Sequence, residues 1–144
     1  MDLKKMTGRH LSAIVRLTHA QLNKEMEKLG LSSQQAPFFL ATMKTEGARQ
    51  EDISEFLFMD KATTARAIKK LEEMGLVKRI NCSKDHRCFR VYTTEKGKKL
   101  VPGIIGILMK WNDVLFKGFT EEEQEIFATQ LLRVLENVKT ATGR

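Results

Sequence analysis

A single break in an otherwise helical pattern constrains this chain more than any other feature. Residues 76–80 and 88–92 are short runs rich in β-formers, and the polar stretch between them, 81–87, reads as the loop of a β-hairpin. Everything around them follows a helical period. Over residues 3–29 the residues Leu11, Ile14, Val15, Thr18, Leu22, Met26 and Leu29 recur at helical spacing, and Gly30 stops the run. Ser32 and Gln35 have capping-box spacing ahead of Phe38, Phe39, Leu40 and Met43, with Pro37 in the first turns, where a missing N–H costs little. A short helix over 50–58 turns Ile53, Phe56 and Leu57 inward, and Asp60 is a good N-cap for the next, over 61–74. After the hairpin Thr94 caps a long helix that Pro102 is expected to kink. Gly118 ends it, and Thr120 with Glu123 caps the last helix.

The expected fold class is therefore mainly α with a small β-hairpin. Three short helices followed by a two-stranded wing make a winged helix-turn-helix over residues 31–94. The helical regions 1–30 and 95–144 carry more apolar surface than so small a central unit can cover, which makes them candidate dimerisation helices. At 144 residues the chain buries a core without disulfide or metal staples. No apolar stretch is long enough to span a bilayer and the N-terminus lacks a signal-peptide pattern, so a cytoplasmic protein is expected.

Charge sharpens the reading. Residues 61–99 hold 12 basic against 4 acidic residues, a net +8, which exceeds the +7 of the whole chain. The surplus is a local footprint for a polyanion. On a helical wheel Thr64, Ala67, Ile68, Leu71 and Gly75 share the inner side of helix 61–74. Ala62, Ala65, Arg66, Lys69 and Glu73 face outward, with Lys61, Thr63 and Lys70 on the flanks. Small residues near the N-terminus with cations around them suit a helix entering the major groove. Ala62 or Ala65 can touch a thymine methyl, Thr63 can hydrogen-bond, Arg66 can reach a guanine edge or a phosphate, and Lys69 and Lys70 suit phosphates. In the hairpin loop Lys84 adds a cation, Arg87 can enter a narrow minor groove, and Asp85 can hold the tip's shape. A plain solvated helix face and an ordinary charged turn are the simpler readings of each element alone, and their adjacency argues against both.

These residues carry a resemblance. The run Met59-Asp60-Lys61-Ala62-Thr63-Thr64-Ala65-Arg66, then Leu71-Glu72-Glu73-Met74-Gly75-Leu76-Val77-Lys78-Arg79, the wing's Asp85-His86-Arg87 and Tyr92-Thr93-Thr94-Glu95-Lys96-Gly97 are similar to the MarR family of multiple-antibiotic-resistance-type regulators. The likeness extends over essentially the whole chain. It implies a homodimeric transcriptional regulator, expected to act as a repressor, with two winged units on a palindromic operator. Arg87 would be the minor-groove residue, and Thr63 and Arg66 would join the major-groove set. A small aromatic acid would be the kind of effector expected, with no other cofactor. Two departures stand out. Ala62 and Ala65 occupy positions where the family often has a hydroxyl, and no cysteine precedes Cys82, unlike the peroxide-sensing branch.

No Gly-rich phosphate loop, GxSxG or HExxH motif points to an enzyme. Cys82, Asp85, His86 and Cys88 form the most enzyme-like or metal-like cluster, and a thiol- or metal-responsive regulator acting through Cys82, His86 and Cys88 is the alternative they raise. Their spacing matches no common zinc pattern, so no metal is expected, and reduced, plain hairpin cysteines are the primary expectation. His10 and His19 read as packed or solvated, although His19 can line a ligand crevice. A winged-helix adaptor that binds protein is the reading from another class, and weak salt dependence would distinguish it.

Overall fold

The computed structural model describes residues 2–82 and 85–143, without the side chains of Leu3, Lys4, Asp85 and His86. A single 3-10 turn, Leu3–Met6, leads into α1 (Thr7–Glu27). There follow α2 (Ala36–Lys44), β1 (Ala48–Arg49), α3 (Gln50–Leu57), α4 (Lys61–Glu73), β2 (Val77–Cys82), β3 (Asp85–Thr93), α5 (Glu95–Leu115) and α6 (Glu121–Thr142). The order is the one the sequence implies, with β1 added. Two compact units divide the chain, residues 1–108 and 109–144.

Local chemistry sets the boundaries. Ser32 and Gln35 exchange the capping-box hydrogen bonds, Gln35 N–H donating to Ser32 Oγ at 3.1 Å and Ser32 N–H to Gln35 Oε1 at 3.0 Å. Asp60 caps α4 by accepting the Thr63 N–H at 2.7 Å. Thr94 joins two helices. Its hydroxyl donates to the Gly75 carbonyl at 2.6 Å and accepts the Gly97 N–H at 3.1 Å, fixing the end of α4 to the start of α5. The helix continues past Pro102 to Leu115.

The core of the first unit gathers Met26, Phe38, Phe39, Ile53, Ile68, Leu71, Leu76, Val77, Val91 and Ile104. Ile68, Leu71 and the Thr64 side chain are fully buried, so the inner side of α4 is the one its wheel indicates. Phe56 corrects the reading of α3. It is 48% exposed, because Ile53 and Leu57 fill the inward positions, and the Lys44 ammonium lies 5.2 Å from its ring centre. In the second unit Phe116, Phe119 and Phe127 form an edge-to-face trio, with centroids 5.6 to 6.3 Å apart.

The sheet differs most from expectation. Its order is β1-β3-β2, all antiparallel, with Ala48 opposite Val91 in a short third strand that the sequence did not suggest. The hairpin strands also reach further than the β-former runs. The ladder continues through Asn81 opposite Phe89, and a register shift then places Cys82 opposite Asp85. Asp85, His86 and Arg87 thus belong to β3 and not to a loop, since cross-strand hydrogen bonds draw in residues of low strand propensity. A second correction concerns the cysteines: Cys82 and Cys88 are joined as a disulfide, their Cα atoms 5.3 Å apart across the hairpin. Among the described residues no helix is long and apolar enough to cross a membrane.

Candidate nucleic-acid interface

The cations of the basic window fall into two groups. Some hold the wing in place. Arg79 pairs with Glu72 at 2.7 Å and stacks over Phe89, Arg90 donates to the Gly47 carbonyl at 2.8 Å, and Lys96 donates to the Met74 carbonyl at 2.8 Å. These residues tie β2, β3 and α5 to the helices around them. Another group lies on α4. Lys61, Ala62, Arg66, Lys69 and Lys70 are exposed, and Thr63 and Ala65 are partly so.

The first turn of α4 is ordered before any ligand arrives. The Thr63 hydroxyl donates to Asp60 at 2.6 Å, and Arg66 Nη2 donates to the same Thr63 oxygen at 3.2 Å. Asp60 is held below the ordinary carboxylate range, first by the Thr63 hydroxyl, then by the Thr63 N–H, with Arg66 adding a weaker attraction. Thr63 and Arg66 therefore present fixed polar groups at the end of the helix that carries the partial positive dipole.

Between α3, α4 and the wing lies a cleft of about 560 Å³. Its walls are Lys61, Ala62 and Ala65 from α4, Arg87, Cys88 and Phe89 from β3, and Arg49, Gln50, Glu51 and Ser54 from the start of α3. The two elements that the sequence singled out thus meet at one concave surface. Arg87 is exposed there. Arg66 is exposed on the same helix, and neither arginine is buried in the core. Of the other expected site residues, Lys84 and the side chain of Asp85 lie outside the described residues, as does the side chain of His86. Among the described residues no group of three or more His, Cys, Asp and Glu side chains gathers as a metal site.

Sequence reasoning missed the contribution of α3. Arg49 precedes that helix and makes a two-pronged contact with Asp52, Nη2 to Oδ1 at 2.9 Å and Nε to Oδ2 at 3.2 Å. The pairing lowers the Asp52 carboxyl and raises the Arg49 guanidinium from their ordinary values. Gln50 Oε1 and the hydroxyl of Ser54, which is 5% exposed, are buried without a hydrogen-bond partner among the described residues. Lys61 approaches Glu51 at 3.5 Å, an exposed and therefore weak pair. Only the Arg-Gln pair just ahead of a helix could have drawn attention to this wall.

A three-helix unit with a small antiparallel wing, cations on the third helix and an arginine on the wing define a winged helix-turn-helix of the DNA-binding kind. Comparison with known proteins gives the same class. Residues 29–87 match the model of the MarR family. The chain is 31% identical to the HTH-type transcriptional regulator YybA of Bacillus subtilis (strain 168), over 91% of this chain and 87% of that protein. It superposes with a TM-score of 0.84 on a MarR transcriptional regulator from Methanosarcina mazei Go1, at 36% identity and covering 94% of this chain and 99% of the other. A MarR family transcriptional regulator from Listeria monocytogenes complexed with 26mer DNA superposes with a TM-score of 0.85, at 30% identity over 94% of both chains. The chain belongs to the MarR family. It is a helix-turn-helix transcriptional regulator and not an enzyme.

Proposed function

We propose that two copies of this chain bind a palindromic operator as a repressor. In this reading α4 lies in the major groove, Arg87 enters the flanking minor groove, and a small ligand, of the aromatic-acid kind, modulates binding. The observation that carries the DNA part is the shared cleft, in which Ala62 and Ala65 of α4 face Arg87 of the wing. Lys61, Ala62, Thr63, Ala65 and Arg66 form the groove-facing set. Lys69 and Lys70 neutralise phosphates, joined at the wing by Lys84, with Asp85 shaping the wing tip. Arg49, at the edge of the same cleft, adds a backbone contact. The DNA-bound relative from Listeria monocytogenes supports this placement by its fold alone.

The dimer rests on a different observation. None of the 22 residues of α6 is buried in the single chain, although Ile126, Phe127, Leu131, Leu132, Val134 and Val138 are all apolar. Ile14, Val15 and Leu17 of α1 and Ile105, Met109 and Val114 of α5 are likewise 44–65% exposed. In each unit, apolar surface on this scale supports association with a second copy. Two recognition helices would then sit about 34 Å apart on one side of the duplex.

The test begins with duplexes recovered from host genomic fragments that the protein selects. Fluorescence anisotropy should show affinity falling steeply as salt rises, by roughly one power of salt concentration per phosphate neutralised. Arg87→Ala should weaken binding by about 1–3 kcal/mol with the dimer intact, the scale of a lost groove contact. A binding curve that salt does not move would reject the DNA reading, and an unchanged Arg87→Ala would remove that residue from it.

A further inference from the structure

We propose that the Cys82–Cys88 bond is a reversible thiol–disulfide exchange site whose reactants are low-molecular-weight thiols and disulfides, and that closing it tightens the wing on DNA. The proposal rests on the DNA reading above. Three observations converge on it. The chain has only two cysteines, and both are in this bond, on facing strands of the wing. They flank the wing tip, at the point where the ladder changes register and Cys82 comes to face Asp85. Cys88 also lines the cleft with Arg49, Lys61 and Arg87, and both cysteines are partly exposed. Glu51 lines the same cleft, so it is the partial exposure of the two cysteines that opens the bond to a dissolved thiolate. A regulator of transcription works beside chromosomal DNA, in thiol-rich surroundings where disulfides are usually transient.

The exchange balances without any other reagent. A thiolate RS⁻ attacks one Sγ, the S–S bond breaks, and the second Sγ leaves as a thiolate that takes up a proton. Another RS⁻ then attacks the mixed disulfide, giving RSSR and a second protein thiol. Two electrons pass from two RSH to the cysteine pair, and the reverse steps close the bond again. In the closed form the residue next to Arg87 is tethered across the hairpin. Opened, Cys88 loses that tether, and the freedom that Arg87 beside it regains must be lost again when Arg87 enters the groove. The reduced protein should therefore bind DNA roughly two- to tenfold more weakly, the fold-change that follows from ordering about one long side chain and its loop.

The experiment equilibrates the full-length protein in buffers of graded reduced and oxidised glutathione. Maleimide labelling with non-reducing electrophoresis reads the bond, and anisotropy on a selected duplex reads the affinity of each form. Expected are two thiols that disappear together within one chain, and tighter binding by the oxidised form. The variant carrying both Cys82→Ser and Cys88→Ser should bind like reduced protein at every glutathione ratio. In Arg87→Ala the difference between the two forms should shrink. Thiols that stay free, or that pair only between chains, would overturn the proposal. Equal affinity of the two forms would overturn it alone and leave the DNA reading standing, whereas no DNA binding by either form would reject both.

Discussion

Two glycines of the same helix, Gly97 and Gly106, should respond to alanine in opposite directions. In isolation each substitution favours the helix by up to about 1 kcal/mol, because alanine loses less backbone freedom than glycine. At Gly106 no atom lies within 4 Å of the new methyl, so that gain should survive. At Gly97 the methyl would overlap the Leu76 carbonyl oxygen, and it would lie 2.9 Å from Thr93 Cγ2 and 3.0 Å from Phe39 Cε2. None of these can yield easily. The Leu76 carbonyl accepts the Thr94 N–H at 3.0 Å, and Phe39 is fully buried. Overpacking a core against backbone belongs at the upper end of about 1–3 kcal/mol, so Gly97→Ala should lose about 1–2 kcal/mol net. Urea unfolding is the assay, run at two protein concentrations so that association is separated from folding. If Gly97→Ala proved as stable as Gly106→Ala, the wing would not be clamped to the start of α5 as described.

Three further outcomes follow. Lys69→Ala and Lys70→Ala should each lower the slope of log affinity against log salt by about 1 while leaving sequence preference unchanged, because a phosphate contact carries no sequence information. Equal slopes in variant and wild type would remove that lysine from the backbone set. Asp60 and Asp52 both titrate below their ordinary range in the folded chain, so their ionised forms stabilise it. That contribution is fully present above the ordinary carboxylate range and is lost as pH falls through the lowered values. Melting curves from neutral pH into acid should therefore drop further for wild type than for Asp60→Asn, and parallel drops would refute the assignment. A chain ending at Gly118, which lacks α6, should scatter light as a monomer; a persistent dimer would exclude α6 from the association face.

What the sequence made legible was local. The buried side of α4 follows from Thr64, Ile68 and Leu71 at three- and four-residue spacing, and the caps at Ser32, Asp60, Thr94 and Thr120 need only their near neighbours. The features it concealed all depend on residues far apart in the chain. β1 exists because Val91 pairs with Ala48, and no pattern within Ala48–Arg49 announces a strand. Arg87 is a strand residue because the ladder resumes beyond it, with Cys82 opposite Asp85, a matter of register and not of composition. The cysteine pair likewise needed the register to bring Cys82 and Cys88 within 5.3 Å, whereas spacing alone argued only against a zinc site. The cleft was half visible: Lys61, Ala62, Ala65 and Arg87 could be read from a wheel and a hairpin, but Arg49, Gln50 and Ser54 arrive from α3 by folding. Helical amphipathicity has one more limit, seen in α6, where the apolar stripe is plain and yet none of it is buried in the single chain. A stripe specifies that a face favours cover without naming what covers it, which is why the proposed association and the proposed DNA contact stand as separate questions with separate experiments.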